Sequence, residues 1–375
     1  MKNILILFLF NLLTVLSIAQ VTIIVDKVPE NTANLDQVYI AGTFNNWTPN
    51  VTPLAKMADG RFKITLPTFG KEIEFKFTRG DWDKVECQEN GSSLSNRKLD
   101  TSNPIEVHFD IVAWNDLAGK STKSTANEQV SIMHNSFYIP QLKEYRRISI
   151  YLPSDYEASK ETYPVLYMHD GQNVFDASTA YNGEWKVDET LTKLEKEKNL
   201  KLIVVAIDNG ESARTDEYTP WSNPKHGGGD GEKYVDFLVN TLKLHVDEHY
   251  RTKPQREFTG IMGSSLGGLI SMYAIMEHQN VFGRAGVFSP SFWFSKQAYE
   301  QVEAKGNQFE DTKIYMIMGK KEGNDMVKGI KKMTKTLKKT GFNSNQYQST
   351  IHKDGTHSEW YWEREFEEAV LWLFL

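Results

Sequence analysis

Phe258-Thr-Gly-Ile-Met-Gly-Ser-Ser-Leu-Gly-Gly-Leu-Ile270 is the stretch on which the reading of this chain turns. A short apolar run ending at Met262 has strand character. Gly263-Ser264-Ser265-Leu266-Gly267 then reads as a sharp turn, and Leu266, Leu269, Ile270 and Tyr273 follow at helical spacing. Strand, glycine-flanked serine and helix make up the G-x-S-x-G nucleophile elbow. Ser265 is expected on a strained turn, where side chains at Gly263 or Gly267 would collide with the neighbouring strand and helix. The helix N-terminus also sets N–H groups and a positive dipole end beside the serine oxygen, where charge develops in acyl transfer.

Outward from the elbow, apolar strands are expected at Arg147–Leu152, Tyr163–His169, Leu202–Ile207, Phe258–Met262, Gly283–Phe288 and Lys313–Gly319. Helical patterns lie at Trp185–Lys198, Glu232–His249, Leu266–Glu277, Met326–Thr340 and Ser358–Leu373. Alternation of this kind predicts an α/β domain with a mostly parallel sheet covered on both faces. With an elbow at a strand end, the form expected is the α/β-hydrolase sandwich.

Serine needs a base, and the base needs an orienting acid; in this fold both follow the nucleophile, acid first. Three histidines follow Ser265. His278 ends the elbow helix and is expected at the surface. His357 lies in a glycine-containing loop, Lys353-Asp-Gly-Thr-His-Ser-Glu-Trp360, between the last strand and last helix, and is the base expected. His352, at the edge of strand Gln346–Ile351, ranks second. Glu322, three residues past the strand glycine Gly319, is the acid expected, with Asp325 as the alternative. The oxyanion donors expected are the N–H of Leu266 and that of Gln172 in His169-Asp-Gly-Gln-Asn-Val-Phe175. No cofactor or metal is called for.

Tyr-Pro-Val-Leu-Tyr-Met-His-Asp-Gly-Gln-Asn (163–173), Gly-Glu-Trp-Lys-Val-Asp-Glu (183–189), Arg214-Thr-Asp-Glu-Tyr-Thr-Pro220, Gly227-Gly-Gly-Asp-Gly231, Tyr250-Arg-Thr252, the elbow and Gly355-Thr-His357 give the region from about Ser131 onward a clear likeness. It resembles the esterase D/enterochelin-esterase/feruloyl-esterase branch of the α/β-hydrolases, which also contains the mycolyltransferases. The resemblance implies a serine hydrolase with Ser265, His357 and Glu322 in the triad roles. It leaves the acyl group and the alcohol open. A feruloyl or acetyl ester on a carbohydrate-linked substrate is the reading taken forward. A siderophore or other small ester is the alternative, and a non-catalytic glycan-binding protein is the alternative of another class.

The chain before this is different. Val21–Val25, Gln37–Ala41, Phe62–Leu66, Ile73–Thr78 and Ile105–Phe109 are short β-forming runs separated by Pro, Gly, Asn and Asp, so 20–114 is expected as a small immunoglobulin-like β-sandwich. Val38-Tyr-Ile-Ala-Gly-Thr-Phe-Asn-Asn-Trp-Thr-Pro49 resembles the glycogen- and starch-binding modules of the AMP-activated kinase β-subunit and branching enzymes. That likeness implies sugar stacking on Trp47 and on Trp82 in Arg79-Gly-Asp-Trp82. The competing reading puts Trp47 over the sandwich core and Trp82 under a loop. Residues 115–129 have linker composition, and 130–375 forms the hydrolase domain.

Met1-Lys-Asn, the apolar run Ile4–Ile18 and small residues at Ser17 and Ala19 read as a cleaved signal peptide over 1–19, which implies a secreted or periplasmic protein with no transmembrane segment in the mature chain. Cys87 stands alone, so no intramolecular disulfide is available. A composition of 40% hydrophobic and 25% charged residues over 375 positions is that of a globular, two-domain protein, and a net charge of −6 gives no reason to expect nucleic acid. His245-Val-Asp-Glu-His249 fits the H-x-x-E-H pattern of inverted zinc peptidases, but it occupies a scaffold helix position with no third ligand evident. The glycine run 227–231 lacks the lysine of a phosphate loop and is expected as a flexible rim. Lys328–Lys339 carries Ile330, Met333 and Leu337 at helical spacing and is expected as a solvated outer helix.

Overall fold

Strand character changes about a third of the way along the chain, and so does the architecture. A computed structural model describes residues 20–30, 32, 37–89, 91, 94–118, 124–181 and 183–375; the expected signal peptide, 1–19, lies outside the described residues. The chain divides into two units, Met1–Lys120 and Ser121–Leu375.

Among the described residues the first unit is built of strands, with one 3-10 turn at Trp82–Lys84: β1 (Gln20–Lys27), β2 (Val38–Gly42), β3 (Pro53–Lys56), β4 (Phe62–Pro67), β5 (Glu72–Thr78), β6 (Glu86–Cys87), β7 (Arg97–Asp100), β8 (Ile105–Asp110) and β9 (Ala113–Trp114). Seven strands run in the order β7-β5-β2-β3-β4-β1-β8, with β6 and β9 paired separately. The row curls over on itself. Phe109 of β8, at one edge, meets Phe75 and Phe77 of β5, near the other, at ring distances of 5.5 and 5.9 Å. One core results, with Val21, Ile23, Ile40, Phe62, Phe75 and Phe77 at its centre.

In the second unit the strands are β10 (Val130–Ile139), β11 (Glu144–Tyr151), β12 (Val165–His169), β13 (Ile203–Ile207), β14 (Thr259–Ser264), β15 (Arg284–Phe288), β16 (Lys313–Gly319) and β17 (Tyr347–His352). The helices are α1 (Val187–Lys198), α2 (Arg214–Glu217), α3 (Gly231–Phe237), α4 (Lys243–His249), α5 (Leu266–Glu277), α6 (Gln297–Lys305), α7 (Asn324–Lys339) and α8 (Glu359–Phe374), with a π-helical segment, Leu238–Leu242, joining α3 to α4. The sheet order is β10-β11-β13-β12-β14-β15-β16-β17, parallel from β13 through β17 and antiparallel at β10 and β11. Both faces are covered, which is why these strands are apolar at nearly every position. Val165, Tyr167 and Ile261 face the layer of α3, α5, α6 and α7; Leu166, Met168 and Met262 face that of α1 and α8. This is an α/β-hydrolase fold.

The stretch 115–129, expected as a linker, is held at both ends. The Asn115 N–H donates to the Val85 carbonyl (2.9 Å) in the first unit. In the second, the Ser124 hydroxyl donates to Asp176 (2.7 Å) and the Asn127 N–H to Asp188 (2.8 Å). At 124–127 the polar side chains and amides satisfy turn and helix-start partners. Residues 119–123 lie outside the described residues. The glycine run is also fixed rather than loose. Gly228 N–H donates to Asp216 Oδ1 (2.6 Å), Gly229 N–H to the Thr219 carbonyl (2.9 Å), and a Cβ on Gly228 would lie 2.2 Å from Thr219 Oγ1.

Candidate active site

Parallel strands deliver their following loops to one edge of the sheet, and four adjacent strands here do so with polar side chains. β14 ends one residue before Ser265, which has φ 60° and ψ −120°, a conformation that an L-residue adopts only under strain. The turn is held by Ser265 N–H donating to the Phe288 carbonyl (2.9 Å) and Ser291 N–H to the Ser265 carbonyl (3.0 Å). A Cβ on Gly263 would stand 2.9 Å from His169 Cδ2, and one on Gly268 would stand 2.8 Å from the Phe288 oxygen; at Gly267 the nearest atom is 3.4 Å away. The close approach that demands glycine is therefore at Gly263 and Gly268. Gly267, expected to be equally constrained, has ordinary contact distances: a Cβ there would meet His169 at the end of β12 and Asp170 just after it, none nearer than 3.4 Å.

His357 Nε2 lies 2.9 Å from Ser265 Oγ, and its Nδ1 lies 2.7 Å from Glu322 Oε2. Glu322 follows β16 in a 3-10 turn, Lys320–Glu322, and its side chain is fully buried. Its other oxygen, Oε1, accepts from Gly319 N–H and from the Ser289 hydroxyl, both at 2.7 Å. Ser289 has its proton to give because its oxygen accepts from Trp362 Nε1–H at 2.9 Å. Every neighbour of Glu322 is thus a donor. That fixes His357 with its proton on Nδ1 and its lone pair on Nε2, toward the serine. The Trp362 ring stands edge-on to the imidazole at 5.2 Å and limits its rotation.

The alternatives considered from sequence lie elsewhere. Asp325 is 87% exposed and pairs with Lys328 at 2.9 Å. His352 turns its Nδ1 to Tyr361 Oη (2.8 Å) and its Nε2 toward Glu365 (3.5 Å). His278 is half-buried at the end of α5, and burial lowers its pKa.

Gln172 sits in a 3-10 turn directly after Asp170, whose φ of 56° bends the chain away from β12. Gly171 makes the bend sterically feasible, since a Cβ there would stand 2.6–2.8 Å from the backbone of residues 206–208. The turn is braced from below. Asp170 is bonded by Arg214 Nε (2.6 Å), Arg214 Nη2 (2.8 Å) and Asn209 Nδ2 (2.7 Å), and its N–H donates to Tyr218 Oη (3.1 Å). Burial pushes the Asp170 carboxyl up, but Arg214 and Asn209 outweigh it and hold the group below its ordinary range. Asn209 N–H reaches Gln172 Oε1 at 3.2 Å, and the Gly267 Cβ position is 3.4 Å from Asp170 Oδ2. The Gln172 turn and the start of α5, where Leu266 is the first residue, therefore share one corner. Leu266 N–H is among the N–H groups that a helix's first turn leaves without an intrahelical acceptor.

Sequence reasoning missed Ser289, Ser291 and Trp362. No motif marks them; Ser291 Oγ lies 3.2 Å from Ser265 Oγ. Of the aromatic residues on the loops of this unit, Trp185 and Phe292 are core, Trp221 is half-buried and Trp293 is 54% exposed. In the H-x-x-E-H segment, His249 Nδ1 lies 2.8 Å from the His245 carbonyl and His245 Nε2 lies 3.2 Å from His134 Nε2, so these nitrogens already have protein partners.

In the first unit, Trp47 and Trp82 form a pair with ring centroids 6.3 Å apart and planes 39° apart. Both are half-exposed, and neither joins the core cluster. Trp47 is displayed by a turn that Asn45 ties down: Gly42 N–H donates to its Oδ1 (2.8 Å) and its Nδ2 donates to Ile40 O (2.9 Å) and Thr52 Oγ1 (2.8 Å).

Known proteins agree with both halves. Residues 139–373 match the family described as "Putative esterase". Over 242 residues the chain is 28% identical to the uncharacterized protein YbbA of Bacillus subtilis (strain 168), covering 61% of this chain and 92% of that protein. It is 23% identical to an endo-1,4-beta-xylanase/feruloyl esterase of Xylanibacter ruminicola, covering 65% of this chain and 31% of the other. The N-terminal region is 37% identical over 97 residues to an amylopullulanase of Thermoanaerobacter thermohydrosulfuricus, 24% of this chain and 6% of that one. Among solved structures, the enterobactin esterase of Shigella flexneri matches with a TM-score of 0.56 at 15% identity, over 91% of this chain and 88% of its own, a likeness of fold. With an α/β-hydrolase sheet and a serine elbow at its centre, the chain belongs to this esterase family of serine hydrolases.

Proposed function

We propose that the protein is an exported carboxylesterase that cleaves a feruloyl- or acetyl-type ester from a carbohydrate-linked substrate. The observation that carries the chemistry is the hydrogen-bonded chain Ser265–His357–Glu322. Ser265 Oγ attacks the ester carbonyl while His357 Nε2 takes its proton. Glu322, held by Gly319 and Ser289, keeps the imidazole oriented and stabilises its positive charge. The oxyanion accepts from the N–H groups of Leu266 and Gln172. The alcohol leaves with the proton from His357, giving an acyl-Ser265, and water then repeats the sequence to release the acid. No metal takes part in these steps.

The carbohydrate-linked substrate is supported by the half-exposed Trp47–Trp82 pair, a surface on which sugar rings can stack, and by the sequence likeness to the xylanase/feruloyl esterase. Export follows from the leader read at 1–19. The likeness to enterobactin esterase favours the second reading, a siderophore ester. Turnover of methyl ferulate, acetylated xylan and a catecholate siderophore ester by the same preparation separates the two. Higher kcat/KM on the siderophore ester would displace the carbohydrate reading. A folded protein that turns over none of them and does not react with a fluorophosphonate would be a glycan-binding protein instead.

A further inference from the structure

One motif of the chain, Gly-Glu-Trp-Lys-Val-Asp-Glu (183–189), has no part in the chemistry above. Its loop runs into the first turn of α1 and brings three carboxylates together. Glu184, Asp188 and Glu189 each offer an oxygen, and these oxygens all lie within 4.8 Å of one another. Glu184 is 8% exposed and Asp188 fully buried, whereas Glu189 faces solvent. Each buried carboxylate spends one oxygen on a protein donor: Glu184 Oε2 accepts from Thr125 Oγ1 (3.0 Å), and Asp188 Oδ2 from Asn127 N–H (2.8 Å). The other two oxygens, Glu184 Oε1 and Asp188 Oδ1, are closed off from solvent and have no hydrogen-bond donor among the described residues. Buried carboxylate oxygens are costly without a partner, and converging like charges add to the cost. Lys186, the cation within the motif, is engaged with Glu363 at 3.0 Å.

We propose that Glu184, Asp188 and Glu189 bind one divalent cation of the hard, oxygen-seeking class, calcium in the first place. Glu184 Oε1 and Asp188 Oδ1 are its buried ligands, and Glu189 supplies the third on the open side, where water completes the shell. A donor set of carboxylate oxygens without imidazole or thiolate suits calcium better than zinc or copper. Thr125 and Asn127 hold the remaining oxygens of the same two carboxylates, so the ion fastens the 124–129 segment to the start of α1. Protons are the competing way to neutralise the cluster: burial pushes Glu184 up to about 7 and Asp188 up to about 8, with Glu189 beside both and Asp176 near Glu184 adding to the rise.

The test uses the full chain stripped with EDTA at pH 8, titrated with calcium or magnesium chloride by calorimetry and followed by thermal melting. Saturable one-site calcium binding is expected, at least about tenfold tighter than magnesium, with a melting rise of about 5 °C at a hundredfold excess over the dissociation constant. Asp188→Asn should abolish the rise. The exposed Glu189→Gln, which leaves the buried packing untouched, should weaken binding about tenfold and decides the matter if Asp188→Asn fails to fold. Fluorophosphonate reaction at Ser265 is followed in parallel, so loss of the ion site and loss of the esterase reading are distinguishable. The proposal is overturned if stripped protein shows neither heat nor melting shift up to about 10 mM calcium. It is equally overturned if Glu189→Gln binds calcium as the unaltered chain does.

Discussion

Replacing Glu322 with glutamine changes one atom of the side chain, and the structure dictates how the amide must sit. Three donors surround the group: Gly319 N–H, the Ser289 hydroxyl and His357 Nδ1–H. Two of them converge on Oε1, and the Gly319 amide cannot be anything but a donor. The glutamine oxygen therefore takes the Oε1 position, and its NH2 faces His357. An NH2 opposite Nδ1 requires the imidazole to accept there, which moves the ring proton to Nε2 and points it at Ser265 Oγ. The base is then in the wrong tautomer. Loss of this kind costs about 10⁴ in kcat for an orienting acid, or about 5.5 kcal/mol of transition-state stabilisation. KM should change little, since Glu322 is buried behind the imidazole. The assay is steady-state hydrolysis of p-nitrophenyl acetate, with Asp325→Asn as control. Asp325 is exposed and salt-bridged to Lys328, so its variant should keep activity within about twofold. Glu322→Gln turning over within tenfold of the unaltered protein, or Asp325→Asn proving the damaging change, would refute the assignment.

Gly268→Ala forces a Cβ to within 2.8 Å of the Phe288 carbonyl, so it should cost about 1–3 kcal/mol in chemical denaturation, while Gly267→Ala should cost less. His169 is fully buried with its Nδ1 on Tyr234 Oη, and burial holds its pKa down at about 3. Because the unfolded chain binds that proton near pH 6.5, the stability from keeping His169 neutral is complete above pH 6.5 and is lost as pH falls toward 3. By pH 5 the loss is about 2 kcal/mol. Comparing denaturation midpoints at pH 7 and pH 5 should show a flatter dependence in His169→Gln. Trp47→Ala combined with Trp82→Ala should weaken retention on insoluble polysaccharide by on the order of 1 kcal/mol per ring and leave small-ester turnover unchanged. Neither ring belongs to the core cluster, so the melting temperature should barely move.

What was legible in the sequence was what burial on both sides imposes. Leu202–Ile207 and Lys313–Gly319 are apolar at nearly every position, and β13 and β16 fall there almost to the residue. The elbow was legible because strand, strained serine and helix each leave their own mark. β10 was not, since this edge strand, Val130–Ile139, is largely exposed, is interrupted by register shifts and carries no alternation to read. β3 and β7 are short edge or bridging strands with one buried residue each, and α6 is a nine-residue helix preceded by an irregular turn. In the site, order and spacing pointed to Ser265, His357 and Glu322. The support behind them, Ser289 and Trp362, is drawn from a strand end and a helix 73 residues apart, and a lone serine or tryptophan carries no signal of such a meeting. The same holds for Glu184 and Asp188, whose orphaned oxygens exist only once Thr125 and Asn127 have taken the others.

The central claim is that Ser265 is a nucleophile activated by His357, and covalent trapping tests it most directly. The folded protein is incubated with a fluorophosphonate, and the adduct is counted by intact mass and located by peptide mapping. One adduct on Ser265 is expected, absent in Ser265→Ala and formed at least about a hundredfold more slowly in His357→Ala. An adduct on another residue, labelling that survives Ser265→Ala, or no labelling of well-folded protein would contradict it.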